Sequence, residues 1–280
     1  MTIGITGANG QLGRLVIEEL KAKNANIIAL VRNVEKSQDL GVDLRSFDYT
    51  KVEGQVEALK GIDTLLLISG SEIGQRIQQH QNVIEAAQKA GVKHIVYTSL
   101  LHADKSTLSL GAEHAATEEI LKKSGLTYTI LRNGWYTENY LGAIPSALQF
   151  NAMIGSAGNG KIASASRQDY AEAAVAVLLG NGHENKTYEL AGDEAYTLAD
   201  FAAELSKQTG KNIPYQDMPA SEYAKILAST GMPQMVADMI AGFDSGAANN
   251  DLYHNGKDLS TLIGRKTTPL AETLKGALNK

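Results

Sequence analysis

Three glycines at intervals of three, Gly7, Gly10 and Gly13 in "GITGANGQLGRLV", lie between an apolar run and an amphipathic one. In that position each glycine has a task. The first permits a tight turn, the second lets backbone approach a pyrophosphate, and the third lets a helix lie close on a strand. Exposed N–H groups and the positive end of the helix then favour a diphosphate. The next chemical signal follows the second apolar run, where a ribose 2′-hydroxyl calls for an acidic acceptor. "ALVRN" instead supplies Arg32, a permanent cation suited to a 2′-phosphate, so the expected cofactor is NADPH and not NADH. The alternative reading of Arg32 is a solvated side chain at a strand end. Asp48 in "FDYT" stands either beside an adenine or as a cap of the next helix.

Ligands of an open parallel sheet bind outside the carboxyl ends of its strands, so the residues there are the remaining candidates. Ser69, Gly70 and Ser71 are expected along the ribose and pyrophosphate, and Thr98 and Ser99 near the nicotinamide ribose. Asn133, Trp135 and Tyr136 are expected to roof the nicotinamide, with Asn139 and Tyr140 opening the helix beyond. Ordinary turn formation and core packing are the competing readings of these small and aromatic residues. Many short-chain dehydrogenases protonate an alkoxide with a Tyr-x-x-x-Lys pair on the helix after the serine strand. The matching helix here reads "LGAEHAATEEIL", placing His114 and Glu118 at that register with neither Tyr nor Lys. His114 and Tyr136 are left as candidate proton donors, and a solvated i, i+4 pair is the alternative for His114 with Glu118. Without a held acid, the expected acceptor is a strong electrophile, such as a quinone or a cationic dye, stacked on an aromatic wall.

The elements that must carry these residues are legible as alternation. Apolar runs at Thr2 to Thr6, Asn26 to Val31, Val42 to Phe47, Asp63 to Ser69, His94 to Ser99 and Thr127 to Arg132 read as six strands. Helical periodicity lies between them, as in Leu12, Leu15, Val16 and Leu20, and in Ile77, Ile84 and Ala87 before Gly91. Strands as apolar as "TLLLIS" are buried on both faces, which predicts an α/β fold, a Rossmann-type doubly wound parallel sheet with a smaller, mainly helical C-terminal lobe. The expected division is residues 1–134 for the NADPH-binding part and 135–280 for the lobe, with "KTYELAG" returning to the main sheet. "GKIASAS" and "NIPYQD" are predicted strands of the lobe, and "GAANNDLYHNG" an exposed loop. The stretch "GMPQMVADMIAGF" fits pocket wall, dimer face or core.

Composition narrows the class further. The 280 residues contain no cysteine, which removes disulfides, thiolate metal sites and Cys nucleophiles and fits a cytoplasmic location. The net charge of −5 comes with scattered Lys and Arg, so no basic stripe for nucleic acid is expected. No apolar run is long enough for a membrane span, and the six histidines show no metal-ligand spacing. No G-x-S-x-G elbow and no G-K-[ST] loop is present.

Taken together, "GITGANGQLG", "ALVRN", "LLLISGSEIGQR", "HIVYTSLLHA", "LRNGWYTENYL", "KIASASRQDYA" and "GHENKTYELAG" resemble the NmrA-like branch of atypical short-chain dehydrogenases along essentially the whole chain. Within that branch the likeness is greatest to members that reduce quinones, and less to those that reduce triphenylmethane dyes. The resemblance implies a flavin-free transfer of hydride from NADPH to quinones. It also implies cofactor contacts at Gly7, Ala8, Asn9, Gly10, Gln11 and Leu12, at Arg32, and at Ser69 to Ser71. Further contacts are implied at Glu138, Asn139, Tyr140, Leu141, Gly142 and Ala143, and at Arg167. Arg167 enters through the resemblance alone; its local sequence reads only as Asp169 capping a helix. Arg76 is a weaker candidate for the pocket. The same branch includes a regulator that binds the nucleotide without catalysis, so a redox sensor is the rival expectation.

Overall fold

The computed structural model describes residues 1–279. Strands β1 (Thr2–Ile5), β2 (Asn26–Val31), β3 (Asp43–Ser46), β4 (Thr64–Leu67), β5 (His94–Leu100) and β6 (Thr127–Asn133) alternate with helices α1 (Gln11–Ala22), α2 (Gln55–Leu59), α3 (Arg76–Ala90) and α4 (Gly111–Lys123). A 3₁₀ turn over Glu35–Leu40 links β2 to β3. The chain continues through α5 (Glu138–Leu141), α6 (Ile144–Phe150), β7 (Met153–Gly155), α7 (Arg167–Leu179), β8 (Lys186–Leu190), α8 (Leu198–Thr209) and β9 (Tyr215–Asp217). It ends in α9 (Ala220–Ser229), α10 (Gln234–Ala248), α11 (Asp258–Ile263) and α12 (Leu270–Leu278).

The seven-stranded sheet is parallel throughout, in the order β3-β2-β1-β4-β5-β6-β8. The expected doubly wound fold is present, and "KTYELAG" returns to the main sheet as β8 beside β6. Alternation along β4 shows why the apolar runs were continuous. Leu66 packs under α1 and α7, whereas Leu65 and Leu67 face α2 and α3, so each residue meets a helix layer. At the end of β1 the Thr6 hydroxyl donates to Leu66 O (3.1 Å) and accepts from Ile68 N–H (3.0 Å), joining the two strands where the winding direction reverses.

Several expectations are corrected in the lobe. "GKIASAS" is not a strand. Its N–H groups go to separate partners, Ile162 to Tyr196, Ala163 to Leu252 and Ala165 to Trp135, so no single ladder can form. The two-stranded sheet of the lobe pairs β9, foreseen in "NIPYQD", with the unforeseen β7. "GAANNDLYHNG" is only partly exposed, because Ala247 in the last turn of α10 packs in the lobe core and Leu252 is buried with it. "GMPQMVADMIAGF" forms α10 and packs Ala237 and Ala241 against Ala224 of α9, while Met235 is exposed. On α3, Ile77 lies partly exposed and the buried face carries Arg76, Gln79 and His80 instead.

The glycine loop tests the close-packing argument directly. Gly7 has φ +60°, and a Cβ on Gly13 would sit 2.4 Å from Gly7 O and 2.8 Å from Ala8 Cα. Both obstacles are backbone and cannot swing away. Gly276 in α12 meets nothing within 4 Å. Gly13→Ala is therefore expected to lose about 1 to 3 kcal/mol in urea unfolding, with α1 forced off β1. Gly276→Ala is expected to gain up to about 1 kcal/mol from helix propensity.

Candidate functional site

A cavity lies outside the carboxyl ends of β1, β2, β3 and β4, at the reversal of strand order. It has a volume of about 490 Å³. Gly7 to Gly10 form one side, Arg32, Asn33 and Lys36 the outer rim, Asp48 and Tyr49 one end, and Ile68 to Glu72 with Gln79 the opposite wall. Sequence reasoning singled out Gly7 to Gly10, Arg32, Asp48 and Ser69 to Ser71; Asn33, Lys36, Tyr49, Ile68, Glu72 and Gln79 were missed. Lys36 lies four residues after Arg32, a basic spacing that could have flagged it.

Local chemistry explains each wall. Gly10 N–H donates to Gly7 O (2.8 Å), closing the turn that starts α1. The Asn9 amide donates to the Ser37 hydroxyl, and the Arg14 guanidinium reaches Asn9 Oδ1 (3.1 Å) and Asp39 (2.6 Å), so the glycine loop is tied to the 3₁₀ turn. The Tyr49 hydroxyl donates to Ile68 O (2.6 Å) beneath the floor. Asp48 caps no helix. Its carboxylate accepts from Thr50 N–H and Thr50 Oγ1, and the backbone bond first of all holds it below the ordinary carboxylate range. Arg32 and Lys36 are both exposed at the rim, and among the described residues no ion pair forms on either.

A second cluster gathers Asn133, Tyr136, Glu138, Asn139 and Arg167, none of which lines that cavity. Arg167 lies over the Tyr136 ring, 4.7 Å from its centroid, and donates to Asn139 Oδ1 (2.7 Å). Its backbone N–H reaches both oxygens of Glu138 (2.9 and 3.1 Å) at the start of α7. Asn133 Nδ2 is 3.4 Å from the Tyr136 hydroxyl, and Asn133 Oδ1 is buried without a partner. Such an orphaned acceptor fits a site built for a donor from outside the chain. Burial raises the Tyr136 phenol, so it holds its proton at neutral pH. Tyr136 packs edge-on against Tyr170 of α7 (5.2 Å between ring centroids), at the margin of the core that α7 shares with α1.

The expected aromatic roof is divided. Trp135 and Tyr140 turn into the lobe core, against Phe243 (5.1 Å) and Phe201 (5.9 Å), and only Tyr136 stays with Arg167. Leu141 also packs in that core, while Gly142 and Ala143 link α5 to α6.

The α4 helix departs furthest from expectation. His114 and Glu118 are not a solvated pair: both are buried and they bond to different partners. His114 Nδ1 lies 2.8 Å from the Tyr97 hydroxyl. Glu118 accepts from Ser99 Oγ (2.6 Å) and from two nitrogens of Arg132 (2.9 and 2.8 Å), whose remaining donor serves Asp104 and Glu189. Ser99 is thereby turned under α4 and away from the β4 wall, whereas Thr98 Oγ1 accepts from Ser69 N–H (2.9 Å) and supports that wall. The sequence showed the residues but not which face of β5 each would take.

The profile of the NmrA-like family matches residues 1–275. The chain belongs to the NmrA-like family. This NmrA-like chain is 52% identical over 282 residues to Quinone oxidoreductase 2 of Escherichia coli (strain K12), with 99% of each covered. A crystal structure of the NADPH-dependent quinone oxidoreductase from Escherichia coli, complexed with NADPH, superposes with a TM-score of 0.96 at 52% identity over 99% of this chain and 100% of that one. The triphenylmethane reductase of Citrobacter sp. matches with a TM-score of 0.96 at 38% identity, covering all of both chains.

Burial also gives the site a pH signature. His80 and His114 are each held down to about 3, by burial first and then by the charge of Arg76. Both rings are neutral in the folded chain and bind protons on unfolding between pH 6.5 and about 3. Stability should therefore fall as pH drops through that window, by at most about 1.4 kcal/mol per pH unit for each ring. Asp244, lifted to about 6 by burial, acts in the opposite sense over its narrower range. Urea titrations at pH 7 and 5 should show a smaller loss in His114→Asn than in the native chain; equal losses would mean that His114 titrates normally.

Proposed function

We propose that this protein transfers hydride from NADPH to a quinone without a flavin, giving hydroquinone and NADP⁺ with one proton taken from water. The carrying observation is on α4. At the register where many short-chain dehydrogenases keep an acid pair, His114 is neutral and committed to Tyr97, and Glu118 is committed to Ser99 and Arg132. No group there is held to protonate an alkoxide, so the acceptor must be an electrophile whose reduced form is stable before protonation. The 52% identity to a quinone oxidoreductase over the full length supports the same reading.

Each residue has a part in it. Apart from Gly10 N–H, which closes the turn onto Gly7 O, the N–H groups of Gly7 to Leu12 face a pyrophosphate at the start of α1. Arg32 takes the 2′-phosphate, with Lys36 beside it. Asn133 Oδ1 offers an unpaired acceptor at the nicotinamide end, and Glu138, Asn139 and Arg167 hold Tyr136 in place. Tyr136 keeps a neutral O–H that can deliver a proton once the acceptor is charged, whereas buried His114 does not take that role. NADPH, when bound, supplies the hydride, and the chain contributes alignment and exclusion of water. Residues 1–134 act as the cofactor part, joined by α7 and β8, which return to the main sheet, and the rest of 135–280 as the acceptor lobe. No described helix is long and apolar enough to cross a membrane; with the lack of cysteine, that supports a cytoplasmic enzyme on a small flat substrate.

A stopped-flow record of NADPH oxidation with 1,4-benzoquinone tests the proposal. Turnover well above the uncatalysed rate is expected; tight NADPH binding with no turnover would instead identify a sensor. A triphenylmethane dye in the same assay tests the second acceptor class, favoured by the full-length match to the dye reductase. Arg32→Ala should weaken NADPH about tenfold or more and NADH little, because only NADPH carries the 2′-phosphate. Equal losses for both cofactors would place that phosphate elsewhere.

A further inference from the structure

Four acidic side chains are buried among the described residues: Glu113, Glu118, Asp169 and Asp244. Three of them face an arginine. Glu113 pairs with Arg76 (2.8 Å) and also holds Gly74 N–H (2.9 Å) on the strap between β4 and α3. Glu118 pairs with Arg132 (2.8 Å) and Asp169 with Arg265 (2.8 Å). Asp244 of α10 is only 5% exposed, and among the described residues no cation pairs with it. Its Oδ2 accepts from Ser156 N–H (2.8 Å), while Oδ1 receives no donor. Gly155 leaves room for the carboxylate, since a Cβ there would lie 2.8 Å from Oδ2 and 3.1 Å from the Tyr215 ring. A buried acid with one hydrogen bond and no counter-charge is unfavourable for the fold alone, and such groups gather where a ligand binds.

The neighbours of Asp244 are aromatic. Phe243, the residue before it, packs on Trp135 (5.1 Å), whose buried Nε1 also lacks a partner. Tyr140 of α5 and Tyr223 of α9 make no side-chain hydrogen bond; burial first, and then the charge of Asp244, lifts both phenols, so they are neutral at pH 7. Tyr215 of β9 is already committed, donating to Asp217 Oδ1 (2.9 Å) and accepting from Ala157 N–H (3.0 Å). The other charge that reaches Asp244 is that of Asp217, also negative. We propose that Asp244 is the charge selector of the acceptor lobe, admitting neutral quinones and rejecting those that carry an anionic substituent. A sulfonate or carboxylate brought beside it meets a like charge where little water screens the repulsion. A neutral ring meets aromatic faces instead. The inference rests on the reading of the lobe as the acceptor side and sharpens it to a substrate class.

Steady-state rates with 1,4-naphthoquinone and its 2-sulfonate test it, because the ratio of their kcat/KM values cancels whatever the two acceptors share. Asp244→Asn keeps an oxygen for Ser156 N–H and removes the charge, so the preference for the neutral quinone should fall about tenfold or more. In the native chain the same preference should weaken as pH is lowered from 7 to 5. Asp244, lifted to about 6 chiefly by burial, loses its charge over that range, whereas the sulfonate keeps its own. In Asp244→Asn the ratio should not change with pH. An unaltered ratio in the variant, or a ratio independent of pH in the native chain, would overturn the proposal. Binding is read apart from turnover by quenching of Trp135, the single tryptophan, with each quinone in the NADP⁺ complex. Charge discrimination in quenching without reduction of either quinone would leave the selector standing and remove the reductase reading. Equal quenching by both quinones in the native chain would remove the selector.

Discussion

At the junction of β1 and β4 the main chain must come within contact distance of a helix on one side and remain free of side chains on the other. The contact of Gly13 with Gly7 O and Ala8 Cα sets how close α1 lies, and Thr6 joins the two strand ends at the same level. The cavity, its glycine wall and the direction of the first helix dipole all follow from that approach. A side chain at Gly13 would displace α1, and with it the turn that presents its N–H groups.

Around this junction the buried polar groups serve orientation. α4 spends Glu113 on the strap, His114 on Tyr97, Thr117 on His80, and Glu118 on Ser99 and Arg132. A helix that elsewhere brings an acid to the substrate here holds other elements at fixed positions. Desolvation keeps its imidazole neutral, and pairing keeps its carboxylates satisfied. The chemistry left to such a site is transfer between partners held face to face, with no protonation step built into α4. Arg167 on the face of Tyr136 extends the pattern to the lobe, since the cation fixes the ring, Asn139 accepts from the cation and Glu138 pairs with it at 3.7 Å.

The parallel sheet, the glycine turn, Arg32 and the β4-end residues were readable in the sequence, because they rest on period, chain order and side-chain charge, all of which are local. Reading failed where partners are distant. "GKIASAS" has strand composition, but its N–H groups meet three separate segments. His114 and Glu118 have the spacing of a solvated pair, and only the packing of α4 on β5 shows that they face Tyr97 and Ser99. Trp135, Tyr136 and Tyr140 are close in sequence, but two turn into the lobe and one toward Arg167.

Sequence alone thus determined the fold class, the glycine turn before α1 and the cation at the end of β2, since each depends on residue type at short range. Tertiary structure decided which polar groups are satisfied inside the protein and which are not. Gly70 O is taken by Arg76 while Ser71 N–H is left open, and Asn133 Oδ1 is orphaned while Ser99 is claimed. Such allocation depends on separate elements being packed and desolvated together, and no local pattern encodes that.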